Sequence, residues 1–215
     1  MAVYTKISNK ILNELLSTYE IGHLINFEEI VEGVENSNFK VITSKNTYIL
    51  TIFEKRVASN EVPFFIALMN HLHLKNFKCP KPVPNKNNEY IANILNKKCI
   101  FVSFIEGNWV KKIENLHCKQ LGHHLANLHI ATKDFQLIRN NTMGLNSWKK
   151  LFDNFKLKEV KKYKNIYKII INELDFLEKK WPKNLPSGVI HADLFQDNVF
   201  FNKNKFSGLI DFYFS

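Results

Sequence analysis

The sequence predicts an α+β chain of two lobes, a β-rich lobe first and a mainly helical one after it. Three observations carry that expectation. Residues 26–53 (NFEEIVEGVENSNFKVITSKNTYILTIF) are dense in Val, Ile, Thr, Tyr and Phe and broken by turn residues, the pattern of consecutive short strands. From about residue 113 the apolar residues recur instead at three-to-four spacing, the period of amphipathic helices. Strand-like runs then return around a polar loop, VIHADLFQDNVFF (189–201).

Taken in order, 26–53 read as three strands with turns at Gly33–Asn38 and Ser44–Asn46. VASNEVPFFIALMNHLHL reads as a helix with Val57, Glu61, Phe64, Leu68 and Leu72 in step, and Pro63 is tolerated near its first turn. CPKPVPNKNN (79–88) is a loop, followed by strands near 90–94 and 98–105, the second ending in SFIEG. The first lobe, 1–105, is therefore a mostly antiparallel sheet with one inserted helix, and a connector near 105–110 leads into the second lobe, 106–215. There Ile113, Leu116, Leu121, Leu125 and Leu128 mark one helix, and 147–163 and 166–181 mark two more. Phe152, Phe155 and the stripe Ile166, Ile169, Ile170, Leu174 and Leu177 are expected to face a core, and Pro182 and Pro186 end the last helix.

With 215 residues, 45% hydrophobic and 18 of them Phe, the chain has the material for a core. No apolar run reaches the ~18 residues of a membrane span, and MAVYTKISNK lacks the apolar stretch of a secretory signal. Cys79, Cys99 and Cys118 are odd in number, far apart and outside any C-x-x-C pairing, which argues against a disulfide framework or zinc site and for a reducing cytoplasm. The net charge of +10 raises nucleic acid as a partner. Arg56 and Arg139 are the two arginines, however, and the remaining charge is Lys beside turns and on helix faces. Phosphate and base-edge readout favour the planar Arg fork, so an anionic small ligand fits the charge as well. His71/His73 and His123/His124/His129 lack the i,i+4 spacing with a carboxylate partner that a helical metal site needs, and are read as structural or surface residues.

The chemistry concentrates in 191–211. His191, Asp193, Asp197 and Asn198 lie within eight positions between apolar β-formers. If Val199–Phe201 and Phe206–Ile210 pair across the turn Asn202–Lys205, Asn198 stands before the outgoing strand and Asp211 after the returning one. The two ends then meet, with Asp193 facing the same space. An amide oxygen and a carboxylate that leave room for water and phosphate oxygens suit Mg²⁺. Phosphoryl transfer needs that arrangement, with a further carboxylate to hold the acceptor hydroxyl. The competing readings are a solvated hairpin loop, with Asp211 a strand-end turn residue, His191 a brace and Asp197 a cap.

Protein kinases order these parts as H-R-D-x-x-x-x-N and then D-F-G, and here His191-Ala-Asp193-Leu-Phe-Gln-Asp-Asn198 is followed by Ile210-Asp211-Phe212. With YILTIFEKRV (48–57), EVPFFIALMNHL (61–72), SFIEG (103–107), LGHHLANLH (121–129) and GLIDFYFS (208–215), the chain resembles the aminoglycoside-phosphotransferase-like branch of the protein-kinase-like fold, and within it the type II homoserine kinases. The resemblance implies ATP and Mg²⁺ as cofactors and L-homoserine as small-molecule substrate, with a kinase of another small alcohol (choline- or methylthioribose-like) or a catalytically silent remnant as alternatives. By the same resemblance Asp193 is the catalytic carboxylate and Asn198 and Asp211 hold the metal. Gly33, Ser37 and Asn38 belong to the loop over the ATP phosphates, and backbone groups at Ser103–Ile105 meet the adenine edge. Glu61 takes the place of the kinase helix Glu.

Two departures from the pattern stand out. Where V-A-I-K carries its Lys, YILT places Thr51, a Leu-Thr pattern common in the homoserine-kinase branch; Lys55 and Arg56 are the nearby cations. Members of the family also continue well past the position of Asp211, so the chain ending at Ser215 is read as truncated.

Overall fold

The computed structural model describes residues 4–32, 35–54, 57–58, 60–154 and 163–215. Packing divides the chain into two compact units, Met1–Gln136 with Gly188–Ser215, and Leu137–Ser187. This partition differs from the lobe boundary read near 105, because the helix after the connector and the last hairpin pack with the sheet.

The first unit is built on an antiparallel sheet of six strands: β1 (Leu24–Ile30), β2 (Ser37–Thr43), β3 (Thr47–Ile52), β4 (Pro82–Val83), β5 (Ala92–Ile94) and β6 (Lys97–Ser103). Its order is β1-β2-β3-β6-β4, with β5 also paired to β6. The three strands expected in 26–53 are present, and the turn at Ser44–Asn46 joins β2 to β3. The other turn lies earlier than expected: β1 ends at Ile30 and β2 begins at Ser37, so Ser37 and Asn38 are strand residues, and Gly33 lies outside the described residues. The Pro/Asn-rich loop also contributes a strand, β4, which pairs with Val102 and Phe101.

Strand alternation sends the two sheet faces to two cores. Phe39, Val41, Leu50, Ile52, Cys99 and Phe101 pack with Leu12, Leu15, Leu16 and Tyr19. The last four come from a helix the periodicity reading missed, α1 (Asn9–Leu16), and the turn after it. Ser8 caps α1 by accepting from the Ile11 N–H, and Leu12, Leu15 and Leu16 line one face, so the signal was present in the sequence. On the opposite face, Ile100 and Val102 join Val62, Phe65, Leu68, Met69 and Leu72 of α2 (Val62–Leu74). Pro63 falls in the first turn of α2 as expected, but the helix starts later than the spacing from Val57 suggested, and Glu61 is its N-cap residue. A proline ring cannot follow a helical turn that needs its N–H, which places the start just before it.

The same core receives Leu128 from α3 (Asn115–Ala131) and Val199, Phe201, Phe206, Leu209, Phe212 and Tyr213 from the terminal segment. Leu121 and Leu125 also pack there, whereas Ile113 precedes the helix and, like Leu116, is exposed. The terminal hairpin forms as read, β7 (Val199–Asn202) against β8 (Lys205–Leu209), entered through a 3₁₀ turn at Gln196–Asn198; Val189 and Ile190 are not in a strand.

The second unit holds α4 (Leu145–Asp153) and α5 (Lys164–Lys180). Trp148 meets Trp181 edge to face at 5.7 Å, and Phe152 meets Tyr167 at 4.7 Å. The expectation that the α5 stripe is core is overturned: neither helix has a buried residue, and Ile166, Ile169 and Ile170 are exposed. Periodicity reports that a helix is one-sided, not that its apolar side is covered. Phe155 and the end of the helix expected over 147–163 fall outside the described residues.

Candidate active site

The hairpin brings the predicted residues together at its mouth. The Ile210 N–H donates to the Asn198 carbonyl oxygen at 3.1 Å, so the residues flanking the two strands are in contact. The Asn198 amide Nδ2 donates to the Asp193 carbonyl at 2.7 Å and to its carboxylate Oδ2 at 3.2 Å. Both bonds use the nitrogen, which leaves the Asn198 Oδ1 free of them. Asp211 stands one residue past the second contact, held at φ +62°. Its Oδ1 is buried without a hydrogen-bond partner. Burial pushes its carboxyl up to about 6, the negative charge of Asp193 pushes the same way, and Glu35 and Asp197 add to it against one backbone N–H from Tyr213.

His191 fastens the loop. It is buried, its Nε2 lies 2.8 Å from the Ile210 carbonyl, and its ring packs on Phe212 at 4.8 Å. Burial holds its pKa below the ordinary value, so the neutral ring donates from Nε2. This is the bracing role, the Nε2 proton being engaged by the Ile210 carbonyl. Ala192 sits at φ +63°, a left-handed conformation that costs a non-Gly residue roughly 1–2 kcal/mol, and it turns the chain between His191 and Asp193.

The residues expected to meet the nucleotide do not share one face of the sheet. Ser37 is fully buried and its hydroxyl is committed: it accepts from the N–H groups of Tyr4 and Thr5 and donates to Glu54 at 2.6 Å. Thr5 and Lys97 complete that cluster, with Lys97 ion-paired to Glu54. Burial pushes the Glu54 carboxyl up, but the bonds from Lys97, Ser37 and Thr5 outweigh it and hold it below the ordinary value. Sequence reasoning missed this cluster. Asn38 points to the opposite face of β2, toward Thr51 on β3, whose hydroxyl donates to its Oδ1 at 2.8 Å. Thr51, in the expected strand-Lys place, is itself buried.

Ser103 uses its N–H and hydroxyl on Lys81, at 2.8 and 2.9 Å, so it ties β6 to the neighbouring segment. Among the described residues the backbone N–H and carbonyl of Ile105 enter no hydrogen bond. The connector is latched to the hairpin by paired bonds between Asn108 and Phe201, at 3.0 and 2.9 Å. Gly107 permits that approach: its φ is +116°, and a Cβ there would come 2.5 Å from the Phe201 carbonyl oxygen. The Glu61 N–H donates to Ala58 at 2.9 Å, consistent with a cap residue. A shallow hollow of about 500 Å³ lies between α2 and residues 88–91, and none of Asp193, Asn198 and Asp211 lines it. Three of the histidines outside the site make structural contacts: His71 and His73 reach the Ala131 and Cys79 carbonyls, and His124 stacks on Phe206.

Asp193 and Asn198 are bonded side chain to side chain, and Asp211, with one unpartnered carboxylate oxygen, follows the residue that contacts Asn198. The chain belongs to the phosphotransferase enzyme family, whose model matches residues 26–215. Within that family it groups with the homoserine kinases. It is 45% identical over all 215 residues to the homoserine kinases of Agrobacterium fabrum and Parvibaculum lavamentivorans, and spans 67% of the length of each. Among solved structures, the amicoumacin kinase hAmiN, in complex with AMP-PNP, Ca²⁺ and Ami, matches 96% of this chain with a TM-score of 0.77 at 17% identity, over 64% of its own length. Spectinomycin phosphotransferase APH(9)-Ia, in complex with ADP and spectinomycin, matches 97% with a TM-score of 0.71 at 16% identity, over 69% of its length. These likenesses show the kinase-like α+β fold. No described helix is long and apolar enough to cross a membrane.

Proposed function

We propose that this site transfers the γ-phosphoryl group of ATP to the side-chain hydroxyl of L-homoserine, giving O-phospho-L-homoserine and ADP. The observation that carries the reading is the Asp193–Asn198–Asp211 constellation, in which one amide bonds one carboxylate while the other keeps an unpartnered buried oxygen.

Asp193 is the carboxylate that orients the acceptor hydroxyl and takes its proton as the oxygen bonds to the γ-phosphorus and the bond to the ADP oxygen breaks. Asn198 fixes Asp193 from behind through its Nδ2, so the carboxylate meets the acceptor already oriented. Asp211 Oδ1 and Asn198 Oδ1 are the hard oxygen donors a divalent cation prefers. Among the described residues no three His, Cys, Asp or Glu side chains converge to form a complete cage. A partial shell of that kind, finished by water and phosphate oxygens, is the usual binding mode of Mg²⁺, which would neutralise phosphate charge. Asn38 and the loop before it support the phosphates, and the unpaired backbone of Ile105 is the group offered to the adenine edge. Glu61 keeps at most a supporting role, since Thr51 replaces its usual Lys partner. The free thiols of Cys79, Cys99 and Cys118 suit a reducing cytoplasm.

ADP release coupled to a colour reaction, with homoserine, choline and methylthioribose as acceptors, tests the reading. Homoserine should be turned over in preference to the other two, and Asp193→Ala should lower kcat about 10²–10⁴-fold with nucleotide binding retained. Turnover intact in Asp193→Ala, or preference for another acceptor, would overturn the assignment.

A further inference from the structure

Thr51 stands where a kinase strand offers Lys, and a hydroxyl cannot carry that charge. The structure shows what it does instead. Tyr213 Oη donates to Thr51 Oγ1 at 3.5 Å across 162 residues, and Thr51 Oγ1 donates to Asn38 Oδ1 at 2.8 Å. Tyr213 is buried, packed edge to face on Phe53 at 5.1 Å and Phe65 at 5.8 Å, and Thr51 is 2% exposed. The 2.8 Å bond sets the sense of the chain: Thr51 has one hydroxyl proton and gives it to the Asn38 oxygen, so toward the phenol it acts as acceptor. The Asn38 amide stands with its oxygen toward Thr51. The two Nδ2 protons of Asn38 enter no hydrogen bond among the described residues, and Asn38 is only half-buried.

We propose that the Tyr213–Thr51–Asn38 chain is a positioning device that presents the Asn38 Nδ2 donors to the nucleotide phosphates, so that a neutral amide takes over the contact of the absent lysine. Tyr213 lies two residues beyond Asp211, so the same chain ties the metal-side segment to the nucleotide-side strand. The inference rests on the ATP-dependent reading above but extends it: Thr51 acts through Asn38 rather than by touching the ligand.

Equilibrium titration of the wild-type chain with Mg·ATP and with homoserine provides the baseline. Thr51→Val keeps the shape and removes the donor, and it should weaken Mg·ATP about 5–10-fold, the loss of roughly one hydrogen bond, with homoserine affinity unchanged. Thr51→Ser should restore wild-type binding, and Asn38→Asp, which exchanges donors for a negative charge, should weaken Mg·ATP at least as much as Thr51→Val. Equal Mg·ATP affinity in Thr51→Val and wild type would overturn the proposal, as would equal loss for both ligands. If Thr51→Val does not fold, Thr51→Ser and Asn38→Ala decide: the first at wild-type affinity with the second weakened supports it, and Asn38→Ala at wild-type affinity overturns it. A wild-type chain that binds no nucleotide would remove the underlying reading and the inference with it, a result distinct from any difference among variants.

Discussion

His191 Nε2 lies 2.8 Å from the carbonyl oxygen of Ile210, which fastens the start of the Asp193 loop to the residue before Asp211. His191→Ala leaves that carbonyl unpaired and opens a void beside Phe212. A loss of about 2–4 kcal/mol in unfolding free energy is expected, read from urea denaturation. A change below about 0.5 kcal/mol would mean the two loops are held by other contacts.

Asp211 carries the opposite expectation. Its carboxyl is buried with an unpartnered oxygen, and burial first, then the negative charge of Asp193, raises its pKa, so the charged form is disfavoured where no cation offsets it. Asp211→Asn should raise the metal-free thermal midpoint by about 2–4 °C, the effect of roughly 1 kcal/mol in a chain of this size. It should also lose the further rise that Mg²⁺ gives the wild type. Melting curves with and without Mg²⁺ read both, and a metal-free midpoint below wild type would contradict the expectation.

Glu54 sets an acid limit on stability. Its folded pKa lies below the ordinary 4.5 because the bonds from Lys97, Ser37 and Thr5 overcome the effect of burial. A lowered carboxyl pKa contributes stability above the unfolded value and loses it as pH falls through the folded one. Wild type should therefore lose thermal midpoint steeply below about pH 4.5, and Glu54→Gln, already lacking the charge, should start lower at neutral pH and fall less. Parallel pH profiles for the two would remove Glu54 from the account.

Gly107→Ala probes the latch between connector and hairpin. Its φ of +116° and a Cβ 2.5 Å from the Phe201 carbonyl oxygen force the Asn108–Phe201 bridge apart. A cost of about 2–4 kcal/mol is expected from backbone strain and the displaced bonds together. Calorimetry checks it, and a neutral substitution would mean the connector moves aside freely.

How much of this was legible follows from sequence distance. Asn198 and Asp211 could be placed together because a short hairpin fixes its own ends, and Asp193 lies five residues from Asn198. The β2–β3 hairpin was readable for the same reason. The partners of Ser37 were not, since Thr5, Glu54 and Lys97 come from three other segments that meet only once the sheet has formed. Nor was the Tyr213–Thr51 contact, because GLIDFYFS reads as apolar and says nothing of which strand its phenol will meet. The α5 stripe failed in another way: its period was real, but coverage is a property of the neighbours. α1 is the one element that Ser8, Leu12, Leu15 and Leu16 announced and the strand-dominated reading passed over.

Trp148 and Trp181, two of the chain's three tryptophans, meet within residues 137–187, while Asp193, Asn198 and Asp211 belong to the other unit with Trp109. Intrinsic indole emission therefore samples chiefly the helical pair. An optical melt recorded at that wavelength would weight those helices over the terminal hairpin, so a spectroscopic label on the exposed Cys118 is the better reporter of the unit that holds Asp193, Asn198 and Asp211.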